Sequence, residues 1–262
     1  MTNDSTQTRA ALRFEGQSAA ITGAARGIGL AIAKRLAEEG ASLLLTDVLV
    51  DELAAAAREL TMVGGARLAV IAADLSTEAG ADKVLQEAMA TLGTIDILVN
   101  NAGGGVILPF FSHTPETLKA TIDRNLWTAI WCTRAFLPGM VERRYGRIVN
   151  LGADSVRNGL HNHAAYNAAK GGMHGLTTGL AREFARSGVT VNTVAPCAVS
   201  TDRFRAAQQA SPENYARFLD VIPMGRAAEE SEVASMVAYV ASREASFVTG
   251  QVISVNGGST ML

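Results

Sequence analysis

The chain has 262 residues, 48% of them hydrophobic and 18% charged, with a formal charge of −2. That length suits one large α/β domain, and the near-neutral balance gives no electrostatic reason to expect nucleic acid. Cys132 and Cys197 follow no metal or redox spacing, and no apolar run approaches a bilayer span, since 43–50 is interrupted by Asp47; we therefore expect reduced thiols, no membrane contact and a cytoplasmic protein.

Residues 1–15 read as a flexible leader and 16–262 as a single domain. A short strand over 18–22 leads into a helix whose Ile28, Ile32 and Leu36 recur every four residues, ending near Gly40. The spacing then predicts strand 43–47, helix 51–62, strand 68–73, helix 77–91 and strand 95–99. A long helix follows over 115–142, then strand 147–151, a helix from Ala164 to Gly179 and strand 189–195. After an irregular stretch, 197–228, come helix 230–241 and strand 252–255. Val/Ile/Leu-rich strands alternating with helices imply one doubly wound parallel sheet, covered on both faces, of Rossmann type.

Three features carry chemistry. Gly23, Gly27 and Gly29 lie between a strand and a helix, where the backbone can approach a pyrophosphate and helix N–H groups face its charge. Asp47 ends the next strand, placed to accept hydrogen bonds from a ribose and to repel a 2′-phosphate. NAD is thus expected over NADP, although Arg26 in the glycine loop could pair with a phosphate. The third feature is Tyr166 with Lys170 four residues on, stacked on one helix face. A fixed ammonium beside a phenol favours the phenolate; a shift of about 3 pKa units, roughly 4 kcal/mol, would make Tyr166 an acid/base for an alcohol or carbonyl oxygen.

Taken together these motifs resemble the short-chain dehydrogenase/reductase family, from about residue 16 to 258. The resemblance rests on Thr22-Gly23-x-x-x-Gly27-x-Gly29, Asp74 after the third strand, and Asn100-Asn101-Ala102-Gly103 after the fourth. It continues through Asn125, Tyr166-x-x-x-Lys170, and Asn192-x-x-x-Pro196 leading to Thr201. It implies adenine contacts from Asp74 and Leu75, and a cofactor lying along Asn101, Ala102 and Gly103, with Ile28 in the glycine loop. Pro196, Val199 and Thr201 would flank the nicotinamide. Lys170 would hold the nicotinamide ribose, Tyr166 would exchange the substrate proton, and Asn125 would hold a water in a proton relay. The implied reaction is hydride transfer between a nicotinamide and a secondary alcohol or ketone, by a homo-oligomer, dimer or tetramer.

The sequence departs from that pattern thirteen residues before the tyrosine, where the family has a catalytic serine and this chain has Ala153. Ser155, two residues on and on the same face if the segment is extended, is the candidate stand-in. Cys197 replaces a usual glycine after Pro196 and reads as a small side chain that fits. His161, His163 and His174 lack companion ligands at metal spacing, so no metal is expected. Leu118, Ile122, Leu126 and Ile130 read as a stripe of core or subunit packing. Phe204, Tyr215 and Phe218 in the expected lid, 197–228, suggest an apolar substrate body, and Arg203, Arg205 and Arg217 could attract an anionic group. The segment 126–138 resembles family members that oxidise cyclic alcohols or dihydrodiols. Two other readings stand beside this one: a 3-oxoacyl thioester reductase using NADPH, and a non-catalytic NAD sensor or scaffold suggested by Ala153.

Overall fold

Seven strands, each short and rich in Val, Ile, Leu or Ala, line up in the order β3-β2-β1-β4-β5-β6-β7, every neighbouring pair parallel. The computed structural model describes residues 12–261, except for the side chains of 214, 215, 217 and 218. The expected leader over 1–11, and the side chains of Tyr215, Arg217 and Phe218, lie outside the described residues.

The strands are β1 (Ser18–Thr22), β2 (Ser42–Asp47), β3 (Leu68–Ala72), β4 (Ile97–Asn100), β5 (Gly146–Leu151), β6 (Val189–Pro196) and β7 (Val252–Val255). The helices are α1 (Gly27–Glu38), α2 (Val50–Glu59), α3 (Glu78–Thr91), α4 (Pro115–Ile122), α5 (Thr128–Glu142), α6 (Ser155–Asn158), α7 (Ala164–Phe184), α8 (Asp202–Ala210), α9 (Pro212–Leu219) and α10 (Glu230–Ala241). The pleat divides the core. Ala19, Ile21, Leu43 and Leu45 face the layer of α1 and α10, whereas Ala20, Leu44, Leu98 and Ile148 face that of α3 and α5. β1 and β4 are neighbours although the chain visits β2 and β3 between them. At such a switch point the loops leaving the two strands diverge and open a crevice at the strand C-termini.

Four details depart from the sequence expectations. Residues 12–15 are docked rather than loose: Phe14 is fully buried, its N–H donates to Glu39 O at 2.9 Å, and Arg13 pairs with Glu39 at 2.5 Å. The expected irregular stretch contains α8 and α9; no residue of α8 is buried, so it has no core-facing stripe to announce it. The expected helix over 115–142 is interrupted by a π-turn at Asp123–Trp127. The turn separates Leu118 and Ile122 from Ile130, so the four-residue series is not one stripe of a regular helix; Leu118, Ile122, Leu126 and Ile130 are each half-buried, and the inner face of α5 is Cys132, Phe136 and Met140. Among the described residues no helix is long and apolar enough to cross a membrane.

Candidate active site

At the crevice, the glycine loop and the turn after β4 are locked together. Thr22 Oγ1 accepts from the N–H groups of Asn101 (3.0 Å) and Ala102 (2.9 Å), and Asn101 Nδ2 donates to Thr22 O (3.0 Å) and Gly23 O (2.9 Å). A Cβ on Gly23 would lie 2.7 Å from Ala102 Cα, and one on Gly29 2.1 Å from Gly23 O. Gly23 and Gly27 also hold positive φ, 65° and 59°, where a side chain strains the backbone. The glycines therefore serve two ends: they let two loops close on each other, and they keep the start of α1 bare. Arg26 at that helix start makes no side-chain cap, and no acidic residue occupies the first turn, so the helix N–H groups remain available to an anion. This cradle fits a dinucleotide pyrophosphate.

Asp47 stands beside it at the end of β2. Its carboxylate accepts from the N–H groups of Ala25 (3.1 Å), Val48 (2.7 Å) and Leu49 (3.2 Å), which fixes its orientation while it stays half-exposed. Asp74 is exposed and accepts from Ser76 N–H at 3.0 Å, whereas Leu75 is buried in the core with Ala81 and Val84. Of this pair, only Asp74 offers its side chain to a ligand. Pro196 ends β6, Thr201 N–H donates to Val199 O at 2.7 Å, and the Thr201 methyl lies 3.6 Å from where a Gly27 side chain would begin. The start of the expected lid thus reaches back over the glycine loop.

The π-turn explains how Asn125 reaches the site. It is fully buried; its Nδ2 donates to Thr121 O (2.7 Å) and Gly104 O (2.9 Å), and its Oδ1 accepts from Gly104 N–H (3.2 Å). A side chain at Gly103 would meet Asn125 Oδ1 at 2.6 Å and Lys170 Nζ at 3.3 Å, so Asn125, Gly103 and Lys170 converge on one point. Lys170 is buried, donates to Leu151 O at 2.7 Å, and holds its ammonium 5.9 Å from the Tyr166 ring centre. Gly105 lies against that ring: a Cβ there would meet Tyr166 Cδ2 at 2.8 Å. His163 packs edge-on to the ring, 6.0 Å between centres.

The electrostatics correct the expectation that Lys170 draws the phenol down. Burial pushes Tyr166 up to about 12, offset in part by the Arg203 charge, and burial pushes Lys170 down to about 8. Desolvation acts on both partners, and at this separation it outweighs their attraction. Lys170 therefore releases its proton at lower pH than Tyr166 does.

The Ser155 hydroxyl is engaged by Asn167. The chain turns helical after β5, so Ser155 opens α6 instead of extending the strand, and its buried hydroxyl donates to Asn167 Oδ1 at 2.6 Å. Ala153, at the usual serine position, is buried. Cys197 is unpaired and packs beside Ala198 and Ile222; among the described residues no three His, Cys, Asp or Glu side chains cluster as metal ligands.

Sequence reasoning passed over two supporting groups. Asn100, Asn150, Thr177 and Thr193 form a buried hydrogen-bonded chain beneath the site, with links of 2.8, 2.8 and 2.7 Å. Asp154, fully buried, accepts from Ser254 (3.1 Å), Ser259 (2.5 Å) and Thr260 (2.8 Å), binding the tail to the loop that carries Ala153. Polar residues inside otherwise apolar strands were the available signal for the first group.

A family profile described as enoyl-(acyl carrier protein) reductase matches residues 23–260. A Pseudomonas putida protein named 2,3-dihydroxy-2,3-dihydro-p-cumate dehydrogenase is 64% identical over 98% of this chain and 100% of its own length. An Acinetobacter baylyi protein named 1,6-dihydroxycyclohexa-2,4-diene-1-carboxylate dehydrogenase is 36% identical over 94% and 97%. A solved structure described as a short-chain dehydrogenase/reductase, glucose/ribitol dehydrogenase, from Brucella melitensis superposes with a TM-score of 0.87 at 34% identity, covering 96% of this chain and 99% of that one. A parallel sheet with its crevice at the β1/β4 switch point, a bare helix start and a half-buried Tyr166 beside a buried Lys170 agree with these full-length likenesses: the chain belongs to the short-chain dehydrogenase/reductase family and is an oxidoreductase acting on CH–OH groups with a nicotinamide cofactor.

Proposed function

We propose that this protein oxidises a carboxylated cyclohexadiene diol to the corresponding catechol, with NAD as hydride acceptor. The observation that carries the reading is full-length 64% identity to a relative so named, in a chain whose Tyr166, Lys170 and Asn125 surround one cleft. When bound, the nicotinamide supplies the redox chemistry by accepting hydride from the carbinol carbon. Gly23, Gly27, Ile28, Gly29 and Arg26 would hold the pyrophosphate, Asp47 the adenosine ribose, and Asp74 with the Leu75 backbone the adenine. Asn101, Ala102 and Gly103 would line its path, and Pro196, Val199 and Thr201 its nicotinamide end.

With its phenolate favoured by the Lys170 ammonium and by the positive charge that an oxidised nicotinamide would bring, Tyr166 takes the hydroxyl proton as the carbonyl forms, and Lys170 with a water held at Asn125 relays that proton away from the phenol. Loss of hydride from carbon and of a proton from oxygen leaves a hydroxydienone, which becomes a catechol by enolisation. Ala153 offers no hydroxyl to the substrate oxygen. Ser155 acts through Asn167, orienting the first turn of α7 beside Tyr166. Residues 197–228 form the lid. The protein is cytoplasmic and homo-oligomeric, dimer or tetramer, with the half-buried edge strand β7 and the stacked Trp127–Trp131 pair, 5.3 Å between rings, as candidate contact faces.

The test is NADH formation from a panel of carboxylated and carboxyl-free dihydrodiols and simple cyclic alcohols. The unaltered protein turns over the dihydrodiols, and Tyr166→Phe lowers kcat by about 10²–10⁴-fold. Turnover only after Ala153→Ser, or preference for a 3-oxoacyl thioester with NADPH, would refute the reading. So would NAD binding without any turnover, the behaviour of a sensor.

A further inference from the structure

The glycine loop has a second wall. Helices α1 and α10 share one apolar core through Ile32, Leu36, Val233 and Val237, and Arg35 Nη1 donates to Ser235 Oγ at 2.8 Å. That packing brings together their first residues, Gly27 and Glu230. A side chain at Gly27 would begin 3.8 Å from Glu230 Oε1, at the same point that the Thr201 methyl approaches. A carboxylate from another helix thus stands beside a helix start whose own first turn holds no acid. Glu230 is half-buried and has no ion pair or hydrogen bond among the described residues. The two bases whose charge reaches it are engaged elsewhere, Arg205 with Asp202 at 2.6 Å and Lys34 with Glu59 at 2.7 Å. Nor is it needed to start α10: the Glu232 carboxylate accepts from Glu229 N–H at 2.8 Å and is held by Arg226 at 2.7 Å. Burial raises the Glu230 carboxyl above its usual range, Arg205 offsets part of that, and Asp202 and Glu229 add to it. The fold therefore keeps an unpaired carboxylate against the loop at a cost, and neither packing nor capping accounts for it.

We propose that Glu230 limits how tightly the dinucleotide is held: its carboxylate repels the pyrophosphate at the start of α1, so that the reduced cofactor leaves after each turnover. The inference rests on the cofactor placement proposed above and adds to it a charge that opposes binding. Like charges at a half-buried surface repel more strongly than in bulk water, and the repulsion lowers affinity without disturbing the backbone that shapes the cradle. Product release limits the turnover of many enzymes, so a helix start that favours an anion is balanced by an acid placed beside it.

Binding tests this without turnover. Fluorescence titration of NADH at about pH 8, where a glutamate is ionised, compares the unaltered protein with Glu230→Gln and Glu230→Lys. Glu230→Gln keeps the shape and removes the charge; it tightens NADH by about 3–30-fold at low salt, and Glu230→Lys tightens it further. The gain shrinks between about 0.01 M and about 1 M salt, as screening shortens the reach of the charge. A stopped-flow chase shows NADH leaving Glu230→Gln more slowly than it leaves the unaltered protein. Unchanged or weaker NADH binding in Glu230→Gln, a gain that Glu230→Lys reverses, or a gain as large at high salt as at low would overturn the proposal and leave the cofactor placement standing. Absence of NADH binding in all three proteins would overturn both.

Discussion

Replacing Lys170 by Met removes a charge that the fold holds at a cost. The ammonium is 4% exposed, and burial lowers it from 10.5 to about 8. At about 1.4 kcal/mol per pH unit, that penalty is about 3 kcal/mol whenever the lysine is protonated in the folded state. Methionine nearly conserves the volume but loses the bond to Leu151 O, worth about 1 kcal/mol. Lys170→Met is therefore expected to be more stable than the parent by about 1–2 kcal/mol at pH 7, and inactive. The sign follows from linkage. The folded pKa is depressed, so the parent gains stability as pH rises from 8 to 10.5, where the unfolded chain holds the proton and the folded one does not. The gain is complete above 10.5 and absent below 8. The advantage of the methionine variant should shrink across that window and reverse near its top. Urea unfolding followed by the fluorescence of Trp127 and Trp131, from pH 7 to 10.5 without cofactor, measures the difference. A variant less stable than the parent at pH 7, by an amount constant with pH, would refute the claim that burial sets the lysine's charge.

Gly105→Ala should leave the melting temperature within a few degrees but lower kcat at least about tenfold, because its Cβ would lie 2.8 Å from Tyr166 Cδ2 and tilt the ring; steady-state kinetics beside a thermal melt separates the two effects. Gly23→Ala meets the Ala102 backbone at 2.7 Å and sits at positive φ, so a loss of about 2–4 kcal/mol and of NAD binding is expected from denaturant unfolding and cofactor titration. His174 is held down to about 4 by burial first, then by Arg157 and Lys170, and its Nε2 has no partner. Its depressed pKa means stability is lost as pH falls from 6.5 to 4, and His174→Gln should unfold with a flatter acid limb over that range.

Much of the fold was legible because its signals are local. A run such as Leu43–Leu45 admits few readings but a buried strand, and glycines at 23, 27 and 29 between a strand and a helix point to a phosphate cradle. The site was legible where spacing alone brings groups together, as for Tyr166 and Lys170 on one helix. What escaped depends on the third dimension. The π-turn at 123–127 has no pattern of its own; it is visible only as the geometry that aims Asn125 at Gly104. The helix α8 escaped because none of its residues is buried, so its sequence has no core-facing stripe to read. The direction of the Tyr166 shift was misjudged because a sequence shows the neighbouring charge and hides the loss of water around both groups.

The π-turn also bears on how this protein can change over time. Deleting one residue from 123–127 would let α4 and α5 merge into a regular helix with better hydrogen-bond geometry, and would rotate Asn125 out of line with Lys170. Selection for robustness alone would favour that deletion, and selection for turnover would reject it. The turn thus records which of the two has prevailed, and a library of single-residue deletions screened separately for expression and for activity would find its two optima farthest apart at this point in the chain.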